Sequence, residues 1–386
     1  MNNKKIRKKN KKILIIANCT WYLFNFRKEL LEDLNNLDYD LVLACPFDSY
    51  HYLISRYFVK KENLILIRGS ENLFFEIISI LHLGYLMIKH RPDLVHNFTI
   101  KPCLYGGIVG RLLNIKYLIN HVTGLGPIFF SRRKKIIFLN KIIYPFYKFA
   151  FNNKRATNIF HNSSDRDFFI ERALTSYKKT TLIKGSGVDI EYFNNKKNTF
   201  RKREIKKLLF PARILKEKGI IELIKACEFL WRNGYSFVLN IAGDIDLENQ
   251  SSLTKAQLKS ILLNRNIKFL GKSNDMLKIY QGIDIVVLPS WREGLSKALL
   301  ESSSMGLPII TTNVPGCADL IIDDFSGILV PVRDEYNLAN AIKKLLDNSV
   351  LAERYGFNAR VIVEKEYSVK KINKKILKIY NTCLDN

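Results

Sequence analysis

Apolar residues fall in short, solid blocks along this chain. In the first half they occupy residues 13–17, 41–45, 94–98, 117–121, 158–161 and 181–184; in the second half 207–211, 237–242, 267–270, 283–288, 309–311 and 328–330. Unbroken β-branched runs of this length predict strands buried on both faces, as in a parallel sheet, rather than strands with one wet face. Helical segments are predicted between them at 26–34, 73–90, 105–113, 219–232 and 298–305, with closing helices at 337–346 and 370–384. Regular βαβα alternation predicts an α/β protein with doubly wound sheets. The alternation lapses at 194–207, a polar stretch rich in Asn, Lys and Arg, and then restarts. Two domains follow, 1–196 and 197–386, with a cleft between similar halves. The final helix is expected to pack back on the first domain.

The longest apolar stretch, 73–88, is interrupted by Glu76 and His82. It falls short of the roughly 20 residues that span a bilayer. It is predicted to be a buried helix, and no segment is expected to span a membrane. Six cysteines are scattered without a CxxC pair, which disfavours a zinc site or a disulfide framework and fits a reducing cytoplasm. Across 386 residues the net charge is +26, and it is uneven: residues 1–200 carry 33 Lys+Arg against 15 Asp+Glu, the remainder 29 against 21. Such a balance points to an anionic partner: nucleic acid, acidic lipid or a phosphate-bearing substrate. Residues 131–151 interleave Arg132, Arg133, Lys134, Lys135, Lys141 and Lys148 with Ile, Phe and Tyr. That pattern suits either a helix lying in a membrane interface or a domain helix with a solvated basic face. Pro145 is expected to kink it.

Chemistry concentrates at Pro289-Ser290-Trp291-Arg292-Glu293-Gly294-Leu295-Ser296, between the strand predicted at 283–288 and the helix predicted at 298–305. A strand-to-helix turn at the carboxyl end of a parallel sheet is where open α/β folds bind ligands. Gly294 would admit close backbone approach, and free N–H groups at the helix start would hold an anion or a sugar. Glu301 falls about two turns into the helix. Two carboxylates at different depths suit a polyhydroxylated ligand better than a metal. A similar turn, Pro211-Ala212-Arg213-Ile214-Leu215-Lys216-Glu217-Lys218-Gly219, follows the strand at 207–211. Arg213 and Lys218 offer a guanidinium and an ammonium at a helix start, as a diphosphate requires. Lys216 shares the loop and competes with Lys218 for that role.

Arg213-x4-Lys218-Gly219 followed by Glu293-Gly-x6-Glu301 resembles glycosyltransferase family 4, the retaining, nucleotide-sugar-dependent family with the GT-B fold of two facing Rossmann-like domains. Gly185-Ser186-Gly187-Val188-Asp189, Pro289-Ser290 and Val314-Pro315-Gly316 also match the family pattern. The resemblance implies that Arg213 and Lys218 hold the nucleotide diphosphate, that Glu301 binds the ribose and that Glu293 lies against the donor sugar. Gly294, Leu295 and Ser296 would contact the sugar or its phosphate. Asn97-Phe98-Thr99-Ile100-Lys101-Pro102 and Thr123-Gly124-Leu125-Gly126 resemble members that extend saccharides on polyprenyl-diphosphate carriers in bacteria. The implied partners are a nucleotide sugar, UDP-linked in kind, a lipid-linked saccharide acceptor and the anionic inner face of the cytoplasmic membrane, with no nucleic acid, metal or other cofactor.

The family's glycine-rich turn after the first strand is replaced here by Asn18-Cys19-Thr20-Trp21, which leaves Arg27 to meet the acceptor diphosphate, beside Thr123 and Gly124. His121 is a candidate catalytic or sugar-binding group; His96 and His161 read as structural. Asp244-x-Asp246 mimics a metal-binding pair but lacks further ligands. A nucleic-acid-binding protein would carry a recognisable module, and none is visible. A Rossmann oxidoreductase would carry GxGxxG after a strand, and none follows one. A non-catalytic subunit binding sugar or lipid could keep Arg213 and Glu301, and only activity separates it from the enzyme.

Overall fold

A computed structural model describes residues 11–67, 72–125, 129, 134–195, 204–246, 249 and 251–384, with the backbone alone over 134–140. Two compact units emerge. Residues 1–186 and 372–386 form the first and 187–371 the second. The chain thus passes between units about ten residues before the expected boundary, and part of the linker predicted at 194–207 lies outside the described residues.

The first unit is built on seven parallel strands: β1 Lys12–Ile16, β2 Asp40–Cys45, β3 Lys60–Asn63, β4 Leu94–Phe98, β5 Tyr117–Val122, β6 Ala156–Phe160 and β7 Thr180–Leu182, ordered β3-β2-β1-β4-β5-β6-β7. Strand β3 reads Lys-Lys-Glu-Asn and carries no apolar signal. It is an edge strand whose place comes from pairing with β2, so no periodicity marks it. One face of the sheet is covered by Leu73–His90, Ile100–Leu112, Lys134–Phe151 and Ser163–Glu171, which share an apolar core with Leu14, Val42, Val95 and Leu118. The helix Lys134–Phe151 runs on through Pro145. Glycines make the close packing possible: a Cβ on Gly107 would lie 2.8 Å from that of Ala150.

The opposite face is covered by Thr20–Asn36 and by the last helix, Val369–Leu384, which brings Ile372, Ile376 and Tyr380 against Ile13, Leu94 and Ile119. Asn373 donates to Asp33 at 2.8 Å, so the C-terminal helix packs on the first unit as expected. Leu73–His90 departs from expectation. Leu83, Leu86 and Met87 are buried, but Phe74, Ile77, Leu81, Tyr85 and Ile88 face outward, so the helix is half-embedded rather than enclosed.

The second unit has six parallel strands: β8 Lys206–Phe210, β9 Phe237–Ala242, β10 Ile267–Gly271, β11 Ile285–Leu288, β12 Ile309–Thr312 and β13 Ile328–Val330, ordered β10-β9-β8-β11-β12-β13. Strand order reverses between β8 and β11, whose carboxyl ends open a crevice at the switch point. The two chemistry-bearing turns leave from those adjacent ends.

Candidate active site

Glycine brings the two turns of the second unit together. Gly219 has φ +76°, and a Cβ there would lie 2.0 Å from the Pro289 carbonyl oxygen, so only glycine lets the 211–219 loop rest on the strand end beside it. The Trp291 N–H donates to Glu217 O at 2.9 Å and ties the turns by backbone. Gly316, with φ +83°, backs the second turn: a Cβ would come within 2.6 Å of Glu293 O and 2.5 Å of Gly294 O.

This contact joins Lys218 to Glu293. The ammonium lies 2.7 Å from Glu293 Oε1, and both side chains are largely covered. Ser290 Oγ donates to the same oxygen at 2.7 Å. Among the described residues, no protein donor is recorded on Glu293 Oε2. Lys216, by contrast, uses its backbone N–H on Ser251 O at 2.8 Å and has no ion pair with a described residue. Arg213, at the end of β8, is half-exposed and pairs with Asp246 Oδ2 at 2.7 Å. The second aspartate of the dyad thus serves as the guanidinium's counter-ion, while Asp244 Oδ1 accepts from the N–H of Ile245. Among the described residues, no three His, Cys, Asp or Glu side chains gather as a metal would need.

Ser296 caps the helix Lys297–Ser304, accepting from the Leu299 N–H at 3.4 Å. Gly294 and Leu295 are half-buried on the approach to it. Glu301 is buried one and a half turns further along. Tyr280 O–H donates to its Oε2 at 3.1 Å, and Lys297 Nζ stands 3.6 Å from Oε1. Burial pushes this carboxyl above its ordinary value, opposed by Lys297 and by Tyr280. Sequence reasoning missed both partners. Lys297 was findable, four residues before Glu301 on one helix face; Tyr280 comes from a different element and left no signal. Cys317 lies behind Glu293 and its thiol is pushed up to about 12, by burial first and then by that carboxylate, so it stays protonated.

The first unit buries Arg27 and His121 in one polar cluster. Arg27 sits in the second turn of Thr20–Asn36 and is 1% exposed. Its Nε donates to Tyr22 O–H at 3.0 Å, and its Nη2 lies 3.2 Å from His121 Nε2 and 3.0 Å from His161 Nε2. A guanidinium only donates, so both Nε2 atoms are acceptors and both rings carry hydrogen on Nδ1. His121 Nδ1 therefore donates to His96 Nε2 at 3.3 Å, and His96 Nδ1 donates to Tyr380 O–H at 2.6 Å. His161 and His121 Nε2 are 3.1 Å apart, a repulsive approach of lone pairs unless Nη2 sits between them. Burial and the Arg27 charge hold all three imidazoles well below the usual histidine range. His121 is fully buried with both nitrogens engaged. It links β4 and β5 to Arg27 through His96 and its own two nitrogens. Thr123 and Gly124 follow β5 on a half-exposed loop, with the Thr123 backbone engaged by His161.

Residues 192–362 match the family model for Glycosyl transferases group 1, and residues 12–163 match Glycosyl transferase 4-like. The chain is 28% identical to the capsular polysaccharide biosynthesis glycosyltransferase CapM of Staphylococcus aureus, over 81% of this chain and 82% of that protein. It is 27% identical to a UDP-Gal:alpha-D-GlcNAc-diphosphoundecaprenol alpha-1,3-galactosyltransferase of Escherichia coli, over 83% of each. In fold it superposes on Alr3699/HepE of Anabaena, solved with UDP and glucose, with a TM-score of 0.78 at 17% identity, over 97% of this chain and all of the other.

Proposed function

The chain belongs to the family 4 glycosyltransferases, and from that premise we propose that it moves a hexose or N-acetylhexosamine from a UDP-sugar to a polyprenyl-diphosphate-linked saccharide, with retention of configuration, in surface polysaccharide assembly. The observation that carries this reading is the meeting of Lys218 with Glu293 at the switch point, with Arg213 on the loop of Lys218 and Glu301 on the helix that follows Glu293. Arg213 and Lys218 are cations at the mouth of β8, suited to charge developing on a departing diphosphate in place of a metal. Lys218 and Ser290 both occupy Glu293 Oε1, which fixes the carboxylate and leaves Oε2 for a sugar hydroxyl. Glu301, held by Tyr280 and Lys297, would accept from a ribose diol.

In a front-side displacement the bond from the anomeric carbon to the phosphate oxygen breaks as the acceptor oxygen bonds to the same face. The departing oxygen takes the acceptor proton, so no protein base is required. The relatives' names support both partners: the Escherichia coli protein is named for a UDP-sugar and a diphosphoundecaprenol saccharide. A lipid-linked acceptor places the work at the inner face of the cytoplasmic membrane. The test incubates the purified protein with UDP-, GDP- and dTDP-sugars, with and without a polyprenyl-diphosphate saccharide. Acceptor-dependent release of UDP from one sugar supports the reading; release from none, with a competent acceptor present, overturns it.

A further inference from the structure

The outward face of Leu73–His90 is apolar along its whole length. Phe74, Ile77, Leu81, Tyr85 and Ile88 recur at intervals of three and four and form one stripe, with Phe74 67% and Leu81 68% exposed. The lone carboxylate of this helix, Glu76, is turned away and bound by Lys101 at 2.7 Å and by the Tyr105 hydroxyl. Ile65 and Ile67 are exposed beside the stripe, where the Ile65 N–H meets His82 Nδ1 at 3.3 Å. Ile142 and Phe146 of Lys134–Phe151, another helix on this sheet face, are also exposed. A surface of this extent is not a scatter of single apolar residues.

Cations rim it at one end. The carboxyl ends of Leu73–His90, Ile100–Leu112 and Lys134–Phe151 all lie at the amino ends of the strands. Arg91 is exposed there, and a recess of about 650 Å³ is lined by Arg111, Lys154, Arg155 and Lys179 with no carboxylate. Arg111 donates to Phe149 O at 2.7 Å and Lys179 to Asn152 O at 3.0 Å, which holds like charges together at helix ends. Burial, Arg111 and Lys154 together lower the Lys179 ammonium from its ordinary value.

We propose that this face docks on an anionic bilayer, the Phe74–Ile88 stripe entering the headgroup boundary and the Arg111–Arg155–Lys179 recess receiving lipid phosphate. The alternative occupant, a second copy of this chain, would oppose the same cations to themselves on a protein of net charge +26. Anionic lipid supplies both complements, hydrocarbon and negative charge. The inference rests on the lipid-linked acceptor reading, and its test reads binding rather than transfer.

The full chain is floated with phosphatidylcholine vesicles, with or without phosphatidylglycerol. Three proteins are compared: wild type, Leu81→Glu/Tyr85→Glu and Arg111→Ser/Arg155→Ser. Wild type should bind the anionic vesicles and float with them. The double glutamate should lose about tenfold in partitioning, and the double serine should lose the preference for phosphatidylglycerol. Both should remain monomeric and keep the wild-type thermal stabilisation by UDP, which reports the second unit. Undiminished flotation of the double glutamate overturns the proposal, as does a wild-type dimer that this substitution dissociates. Should vesicles bind as described while no sugar is transferred, docking stands and the acceptor assignment falls.

Discussion

Lys218 Nζ lies 2.7 Å from Glu293 Oε1 across 75 residues of chain. The pair binds the turn after β8 to the turn after β11 and places one cation and one fixed carboxylate at the reversal of the second sheet. On the proposed reading, a diphosphate arriving there would meet an ammonium already oriented, and little would be lost in ordering it.

Lys218→Ala is expected to lower kcat/KM by about a hundredfold, the scale of losing one charged contact to a developing oxyanion. Lys216→Ala, lacking an ion pair with the described residues, is expected to change it less than about threefold. Steady-state kinetics with the preferred nucleotide sugar decides between the two lysines, and equal losses would undo the loop assignment.

Glu301→Gln keeps the shape of the side chain and removes its charge. Donor KM is expected to rise about tenfold, consistent with a charged hydrogen bond to a diol of about 1.5 kcal/mol, with kcat less affected. Lys297→Met removes the main opposing cation, so the Glu301 carboxyl rises further from its ordinary value. Donor affinity in that variant is expected to weaken at higher pH than in wild type as pH is lowered, measured as KM against pH.

Dialysis against EDTA is expected to leave turnover unchanged, because on the proposed reading Arg213 and Lys218 would do the work of a metal, and Asp246 is engaged with Arg213. Abolition by chelator and recovery with a divalent ion would return Asp244 and Asp246 to consideration.

The histidine cluster makes the first unit acid-sensitive. Its three imidazoles are held well below the ordinary histidine value near 6.5, so the unfolded chain binds more protons as pH falls through that value. Stability is full above pH about 6.5 and declines below it, down to the depressed folded values. Arg27→Met would leave the facing Nε2 atoms without a common donor and should cost about 2–4 kcal/mol at pH 7.5. Urea unfolding at pH 7.5, 6.5 and 5.5 tests both; a flat pH response would contradict the network.

Much of this was legible in the chain because buried parallel strands write themselves as solid apolar blocks, and the turns at 211–219 and 289–296 follow directly on two of them. The polar edge strand β3 was not, since pairing rather than composition makes it a strand. The burial of Arg27 was not legible for a related reason: position on a helix says which turn a residue occupies, not that His121 and His161 close over it. The exposed stripe on Leu73–His90 has the composition of a core helix, and apolarity alone does not say which side is wet.

Calorimetric titration with UDP and with uridine tests the central claim most directly. Wild type is expected to bind UDP at least about a hundredfold more tightly than uridine, the two cations supplying the difference. In Arg213→Ala/Lys218→Ala the two ligands should bind alike and weakly. An undiminished preference for UDP in the double variant would show that the diphosphate is held elsewhere, and the account of this site would be contradicted.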